Sequence, residues 1–355
     1  IAAALSEAER LDVDGGAFLE ALAVGYEVCC RVGAAMGPGG YERGFHITGV
    51  SGIFGAVAAA AKLRGLDRAT VGAAFGLALS KAGGSMQYLE NGSWNKRLHP
   101  GFAAHDALLC LTLAETGVTG AAEPIEGRYG ILHSFTADPR PDYLTDGLGE
   151  RWLLVQTSIK PYPSCRLTHG AIDAALRLRE RVPAGKLGEA TMRIGLSPTA
   201  FKITGEPLPA KLAPRNTVDA QFSVYFQVSA AWLDGGVTYA SYERAFDVDI
   251  LALTPRIAVE SDVTVPTAGA IVEVTIDGER FADRTDTPLG NPGNPLGWSA
   301  LTGKFTALAE PVYGPERAAA IVRAVEQLGP GTRMLSLIRS LRTQGEASDA
   351  ERRAA

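Results

Sequence analysis

The sequence predicts a mainly α protein: a discontinuous all-helical domain with a smaller α+β domain inserted into it. Three observations predict this. The first 120 or so residues carry apolar positions at helical spacing almost without a break. After Lys160 the pattern changes to period-two alternation, and from Trp298 helical patterns return. At 355 residues the chain also exceeds the size at which one core keeps growing, so two domains are expected. The boundaries read 1–155 and 288–355 for the helical domain and 156–287 for the inserted one.

Phe18, Leu22, Gly25, Cys29, Val32 and Met36 alternate spacings of four and three and so share one helical face. Glu20, Glu27 and Arg31 fall on another face, with Glu27 and Arg31 a favourable i,i+4 pair. Ile53–Leu63 is small and apolar on every side, which suits a helix buried among helices. Asp67 is placed to cap a helix ending at Gly83-Gly84, and Pro100 to open one that stops at Gly117.

In the inserted region, Ala190–Leu196 alternates, and Ile257, Val259, Ser261 and Val263 mark a further strand. Val272, Val274 and Ile276 alternate with polar residues. Asp277-Gly278 then reads as a hairpin turn before Glu279-Arg-Phe281. Gln221–Leu233 reads as a helix ending at Asp234-Gly-Gly236. Trp298–Leu308, Pro315–Leu328 and Arg333–Leu341 are the returning helices, expected to pack back on the first block. The tail Gly345–Ala355 is small and polar and is expected to be disordered.

The composition is that of an ordinary globular protein, 46% hydrophobic and 21% charged, with a net charge of −5. No Lys/Arg run alternates with aromatics, so a nucleic-acid partner is not expected. The apolar run Val50–Ala61 is broken by Ser and Gly and is shorter than the roughly 20 residues a bilayer needs, so no membrane association is expected. The four cysteines, adjacent Cys29 and Cys30 with isolated Cys110 and Cys165, have neither framework nor metal spacing. They read as reduced thiols of a cytoplasmic protein. The chain opens Ile-Ala-Ala-Ala inside a helical pattern, from which we expect a further segment upstream.

Chemistry concentrates in Lys160-Pro-Tyr-Pro-Ser-Cys-Arg-Leu-Thr-His169, where a lysine, a thiol, an arginine and a histidine share a proline-stiffened stretch. Gly44-Phe-His46 and Lys96-Arg-Leu-His99 have the same character. Of five histidines, His46, His99 and His169 lie in loop-like surroundings where imidazole can act as acid or base. The alternative for each is a structural histidine, the reading preferred for His105 and His133. Lys96, Lys160 and Arg166 are candidate anion holders, the arginine as a bidentate fork. Cys165 is either a nucleophile or a polarizable wall residue. No metal-ligand motif, P-loop or dinucleotide fingerprint is present, so neither metal nor cofactor is expected.

In order along the chain, these segments resemble the MmgE/PrpD family of 2-methylcitrate dehydratases, cis-aconitate decarboxylases and iminodisuccinate epimerases. The matching text is Gly25-Tyr-Glu-Val28, Gly44-Phe-His46, Lys96-Arg-Leu-His99 with Gly101, and Lys160-Pro-Tyr-Pro163 through Thr168-His169. It continues with Asp219-Ala-Gln-Phe-Ser223, Leu233-Asp-Gly235, and Gly290-Asn-Pro-x-Asn-Pro295 leading to Lys304-Phe305. The resemblance covers almost the whole chain. It implies a helical domain built from both chain ends, an α+β lid, a homodimer, and metal-free lyase chemistry on a small di- or tricarboxylate at a site between the domains.

The resemblance also assigns roles. It makes His46 the acid/base residue, with Lys96 and Lys160 as cationic catalytic contacts. His99, Cys165, Arg166, His169 and Tyr225 are taken as substrate contacts. Tyr225 lies one residue earlier than the family's tyrosine, whose position here is Phe226. Cys165 stands where decarboxylase-like members carry histidine, which argues against decarboxylation. Dehydration of a hydroxylated polycarboxylate such as 2-methylcitrate is therefore the leading expectation. Epimerisation, decarboxylation or a non-catalytic remnant are the alternatives. An upstream Asp/Thr/His segment is the remaining part that the resemblance implies.

Overall fold

A computed structural model describes residues 1–342. The expected disordered tail, Gly345–Ala355, lies outside the described residues. The chain divides into two compact units, Ile1–Gln156 with Phe305 onward, and Thr157–Lys304.

The first unit begins with α1 (Ala2–Leu11), α2 (Gly15–Met36), α3 (Ile47–Arg64), α4 (Arg68–Leu79) and α5 (Asn95–Glu115). Asp14 caps α2, its carboxylate accepting from Gly16 N at 2.7 Å. The small residues of α2 and α3 permit a backbone-to-backbone crossing. A Cβ at Gly25 would stand 2.8 Å from Gly55 O, and one at Gly55 would stand 2.5 Å from Gly25 O. By length and composition α3 could cross a membrane. Here Val50, Ile53, Phe54 and Val57 are fully buried and make it the central core helix of the unit.

The second face of α2 divides, with Glu20 exposed and the other two residues buried. Glu27 and Arg31 are 6% and 3% exposed. Their ion pair of 2.7 Å is satisfied further by backbone. Glu27 accepts from Leu154 N at 2.9 Å, and Arg31 donates to carbonyls of Tyr143, Asp146 and Arg151 at 3.1, 3.0 and 2.7 Å. Pro100 does not open α5 but sits inside it. The tight turn that puts Arg97 N and Leu98 N on Trp94 O starts the helix before the proline, so Lys96–His99 is helical rather than a loop. α4 is capped by Asp67 as expected, accepting from Thr70 N at 2.8 Å, but it stops at Leu79. The backbone beyond it is taken up by the turn that carries His46.

The returning helices Pro315–Glu326 and Met334–Leu341 close the unit. Ile321, Met334, Leu337 and Ile338 pack with Ala4, Ala8, Phe18 and Ala59 in one buried cluster. Thr332 O accepts from Gly15 N at 2.8 Å.

The second unit contains α6 (His169–Arg179), β1 (Thr191–Leu196), α7 (Val224–Asp234), β2 (Ile257–Ser261), β3 (Ala270–Ile276) and β4 (Glu279–Thr285). The four strands form one sheet in the order β2-β1-β3-β4. β1 runs parallel to β2 and antiparallel to β3. β3 alternates buried and half-buried positions along its length. It joins β4 through Asp277-Gly278, both at positive φ (52° and 80°), the two-residue hairpin geometry that fits strand twist.

β2 ends at Ser261 rather than Val263, because the Asp262 side chain accepts from Thr264 N at 2.8 Å and turns the chain. The expected Gln221–Leu233 helix is broken at Phe222-Ser223. Ser223 Oγ caps α7 by accepting from Phe226 N at 3.0 Å. α6 and α7 bury Ile172, Leu178, Phe226 and Trp232 with Ile194, Val272 and Val274 of the sheet in a single core.

Candidate active site

In the first unit, two segments distant in sequence clasp each other. His46 N donates to Gly84 O at 2.8 Å and Met86 N to Gly44 O at 2.9 Å. This clasp sets His46 just before α3, while His99 projects from α5. Both are buried, and their Nδ1 atoms lie 2.9 Å apart. Tyr88 packs edge-on to both rings at 5.8 and 6.0 Å. Gly84, at φ 136°, leaves room for this pairing, since a Cβ there would come within 3.2 Å of His99 Nδ1.

Two Nδ1 atoms at this distance share one proton: one ring donates and the other accepts. Burial, then His99 and Lys96, lower His46 to about 4, and burial lowers His99 as well. At neutral pH the pair is uncharged. The ring that donates through Nδ1 is left with a basic Nε2. The ring that accepts carries an Nε2–H. The pair therefore offers a base and an acid together; their roles exchange when the basic Nε2 takes up a proton, the shared proton crosses between the Nδ1 atoms, and the other Nε2–H is given up. Lys96, half-buried one turn before His99 on α5, places a positive charge within reach of His46.

In the second unit, the Lys160–His169 segment is held by its backbone. Ile159 N donates to Gly290 O at 2.8 Å, Cys165 N to Gln221 O at 2.9 Å, and Lys304 Nζ to Lys160 O at 2.6 Å. Pro163 O accepts from Tyr242 OH at 2.7 Å and Gln221 Nε2 at 3.2 Å. Gly290, at φ 85°, must be glycine, because a Cβ would overlap Ile159 O.

Lys160 Nζ donates to Ser164 O at 2.9 Å. The residue as a whole is exposed, but the ammonium is lodged against this carbonyl. Loss of solvation lowers its pKa; Cys165 opposes the shift and Arg166 adds to it. Arg166 is committed to the 288–291 loop through Leu289 O (2.9 Å), Pro288 O (3.3 Å) and Asn291 Oδ1.

Arg166 Nη1 also lies 2.9 Å from His169 Nδ1. Guanidinium has no acceptor, so Nδ1 accepts and the proton of His169 stands on Nε2. That Nε2 is fully buried and has no hydrogen-bond partner. Burial, Arg166, Lys160 and Lys304 together lower His169 to about 3, so the ring stays neutral. Tyr162 OH donates to Asp173 Oδ1 at 2.7 Å, and Asp173 Oδ2 accepts from Leu289 N at 2.7 Å, tying the segment to α6.

The structure thus brings His46 and His99 together in one unit, and Lys160, Arg166 and His169 in the other. Tyr225 is not among them. It is 2% exposed in the α7 core and its hydroxyl donates to Gly205 O at 2.8 Å. Cys165 is half-buried, within electrostatic reach of Lys160 and Lys211. His105 and His133 are exposed, bonded to Asp106 and Gly127 O.

Sequence reading missed Lys304 and Lys211 as charged neighbours of this segment. Lys211 is buried, and its Nζ lies 3.5 Å from Lys202 O. No local pattern marks it, although Lys304 lies in a quoted motif. Among the described residues, no three His, Cys, Asp or Glu side chains gather as a metal site. Open hollows of about 240 Å³ at the sheet and about 530 Å³ around Val312–Arg317 include none of these residues.

Comparison with known proteins agrees over both units. The profile of the MmgE/PrpD N-terminal domain matches residues 1–144, and that of the MmgE/PrpD C-terminal domain matches residues 162–329. The chain is 28% identical to human cis-aconitate decarboxylase over 296 residues, 80% of this chain and 60% of that protein. It is 26% identical to the mouse cis-aconitate decarboxylase over 301 residues, 80% of this chain and 59% of that protein. It is 28% identical to a cis-aconitate decarboxylase of Aspergillus terreus over 342 residues, 89% of this chain and 69% of that protein. The chain therefore spans about three fifths of the length of the two mammalian relatives.

Proposed function

The chain belongs to the MmgE/PrpD family, and from that premise we propose that it is a lyase acting on a small polycarboxylate, with release of CO2 from a cis-aconitate-like substrate as the first reading. The observation that carries the proposal is the His46–His99 pair, 2.9 Å apart through Nδ1 and neutral at physiological pH. The names of the relatives put decarboxylation ahead of the dehydration that the sequence led us to expect.

Breaking the C–C bond to a departing carboxylate leaves its electron pair on carbon. In an unsaturated polycarboxylate this pair moves into the neighbouring double bond, and the displaced pair takes a proton at the far carbon. A histidine Nε2–H of the pair supplies that proton, the shared Nδ1 proton crosses to that ring, and the partner ring takes up a proton from water at its Nε2, which restores the donor. Lys96 and Lys160 offset the charge that accumulates beside the remaining carboxylates. His169, fixed as an Nε2–H donor, holds a substrate oxygen without exchanging protons.

Dehydration is the second reading, favoured by Cys165 in place of the histidine that the family resemblance implies for decarboxylases. It uses the same pair in the reverse sense. The basic Nε2 removes an α-proton, the Nε2–H protonates the departing hydroxyl, and a double bond forms.

Proton NMR of the protein with cis-aconitate, citrate, 2-methylcitrate and an aspartate-derived dicarboxylate in D2O tests both. Loss of CO2 with one deuterium entering the product supports decarboxylation. Loss of water supports dehydration, and deuterium wash-in without net change supports epimerisation. An inert panel removes the enzymatic reading.

A further inference from the structure

We propose that Lys304 is a substrate-carboxylate ligand, which together with Lys160 and the Nε2–H of His169 forms an anion subsite in the second unit. The inference rests on the polycarboxylate reading above and assigns one carboxylate of that substrate to this subsite.

The argument starts from the number of donors. Lys304 Nζ spends one N–H on Lys160 O at 2.6 Å, and Lys160 Nζ spends one on Ser164 O at 2.9 Å. An ammonium has three N–H donors, so two remain on each. None of the ion pairs among the described residues includes Lys160, Lys304 or Arg166. The nearby charges that act on Lys160 are Arg166 and the Cys165 thiol, and the one that acts on Lys304 is Lys160, with no carboxylate among them. Burial first, and then the like charge of Lys160, lower the pKa of Lys304, whose ammonium the Lys160 carbonyl holds close.

His169 supplies the second, independent observation. Arg166 blocks its Nδ1, so the only polar atom it can offer is Nε2–H, which is fully buried and unpartnered. An unmet buried donor is costly and is retained where something supplies the acceptor. The ring lies close to the Ser164 carbonyl on which the Lys160 ammonium rests, which brings it near the lysine charge. His169 also senses Lys304 directly. Two ammonium groups and a neutral imidazole donor match one carboxylate, two oxygens with about four lone-pair sites, while the nearby acid Asp173 is engaged by Tyr162 OH and Leu289 N. Arg166 directs both of its terminal nitrogens to Pro288, Leu289, Asn291 and His169, while its buried Nε–H is unmet. It acts as the positioning residue.

Lys304 could instead matter only as a prop for the Lys160 backbone. Lys304→Gln separates the two roles, since the amide keeps a donor for Lys160 O and loses the charge. Lys304→Met loses both. The probe is tricarballylate, a saturated tricarboxylate with neither a hydroxyl nor a double bond to react. Its binding to the wild-type 355-residue protein and to both variants is measured by calorimetry at low and high salt, with thermal melts as the fold check.

The expected result is that Lys304→Gln weakens tricarballylate about tenfold or more at low salt. Its salt dependence should become shallower than that of the wild type, with its melting temperature little changed. Wild-type affinity in Lys304→Gln, with loss only in Lys304→Met, would reduce Lys304 to a prop and overturn the inference while leaving the polycarboxylate reading in place. No tricarballylate binding by the wild type would overturn the subsite, and with an inert substrate panel it would remove the polycarboxylate reading too.

Discussion

His46 and His169 are both buried, both held neutral and both paired through Nδ1, yet only one of them can change which nitrogen carries its proton. His46 faces another imidazole, which can donate or accept. His169 faces a guanidinium, which can only donate. A low pKa is common to both and does not distinguish them. The partner does: a symmetric partner makes a proton exchanger, and a one-way donor makes a fixed contact. On the proposed reading, the histidine pair of the first unit transfers protons and the histidine of the second unit binds.

The largest effect expected from breaking this contrast is on turnover. His46→Gln and His99→Gln should each lower kcat by about 10²–10⁴-fold, and the double variant should be little worse than either single one. Steady-state kinetics by NMR would check this. Additive losses would mean that the two rings act separately.

A smaller effect is expected at the fixed histidine. Arg166→Met frees Nδ1 of His169, so ¹⁵N shifts should change from a single Nε2–H tautomer to a mixture, and turnover should fall about tenfold through poorer positioning. An unchanged tautomer would show that something other than Arg166 fixes the ring.

The pH dependence should also separate wild type from variant. The unfolded chain takes up a proton at His46 near pH 6.5, and the folded chain only near 4. Between these values the unfolded state binds more protons, so stability is complete above 6.5 and drains as the pH falls toward 4. His169 continues the loss toward 3. The melting temperature of wild type should fall through this window more steeply than that of His46→Gln.

The smallest effect is expected at Tyr225. Tyr225→Phe should cost about 1 kcal/mol of stability, through the lost bond to Gly205 O, with KM unchanged. A raised KM would return this residue to the substrate.

The features legible in the sequence are those set by local rules. The cap at Asp67, the Asp277-Gly278 hairpin and the alternation of β3 depend on neighbours a few residues away, and those neighbours are in the text. Glu27 and Arg31 show the limit. Local spacing identifies an ion pair but not its burial, because the groups that satisfy Arg31 lie 112 to 120 residues later. Pro100 misled for a similar reason: a helix can begin before its proline when an earlier carbonyl closes the first turn. In the site, the residue types in Gly44–His46, Lys96–His99 and Lys160–His169 stood out as ionisable groups in stiff surroundings. The Nδ1–Nδ1 pairing, and the arginine that fixes His169, required coordinates.

The Arg31 anchor has a consequence for synthesis. As the chain leaves the ribosome, α2 emerges more than a hundred residues before the carbonyls that receive its guanidinium. Until residues 143–154 emerge, Glu27 and Arg31 have only each other, and the first helices cannot close over them without burying unmet donors. A fragment that stops short of Tyr143 should therefore stay loose and protease-sensitive. One that extends through Gln156 carries the full set of partners for this anchor.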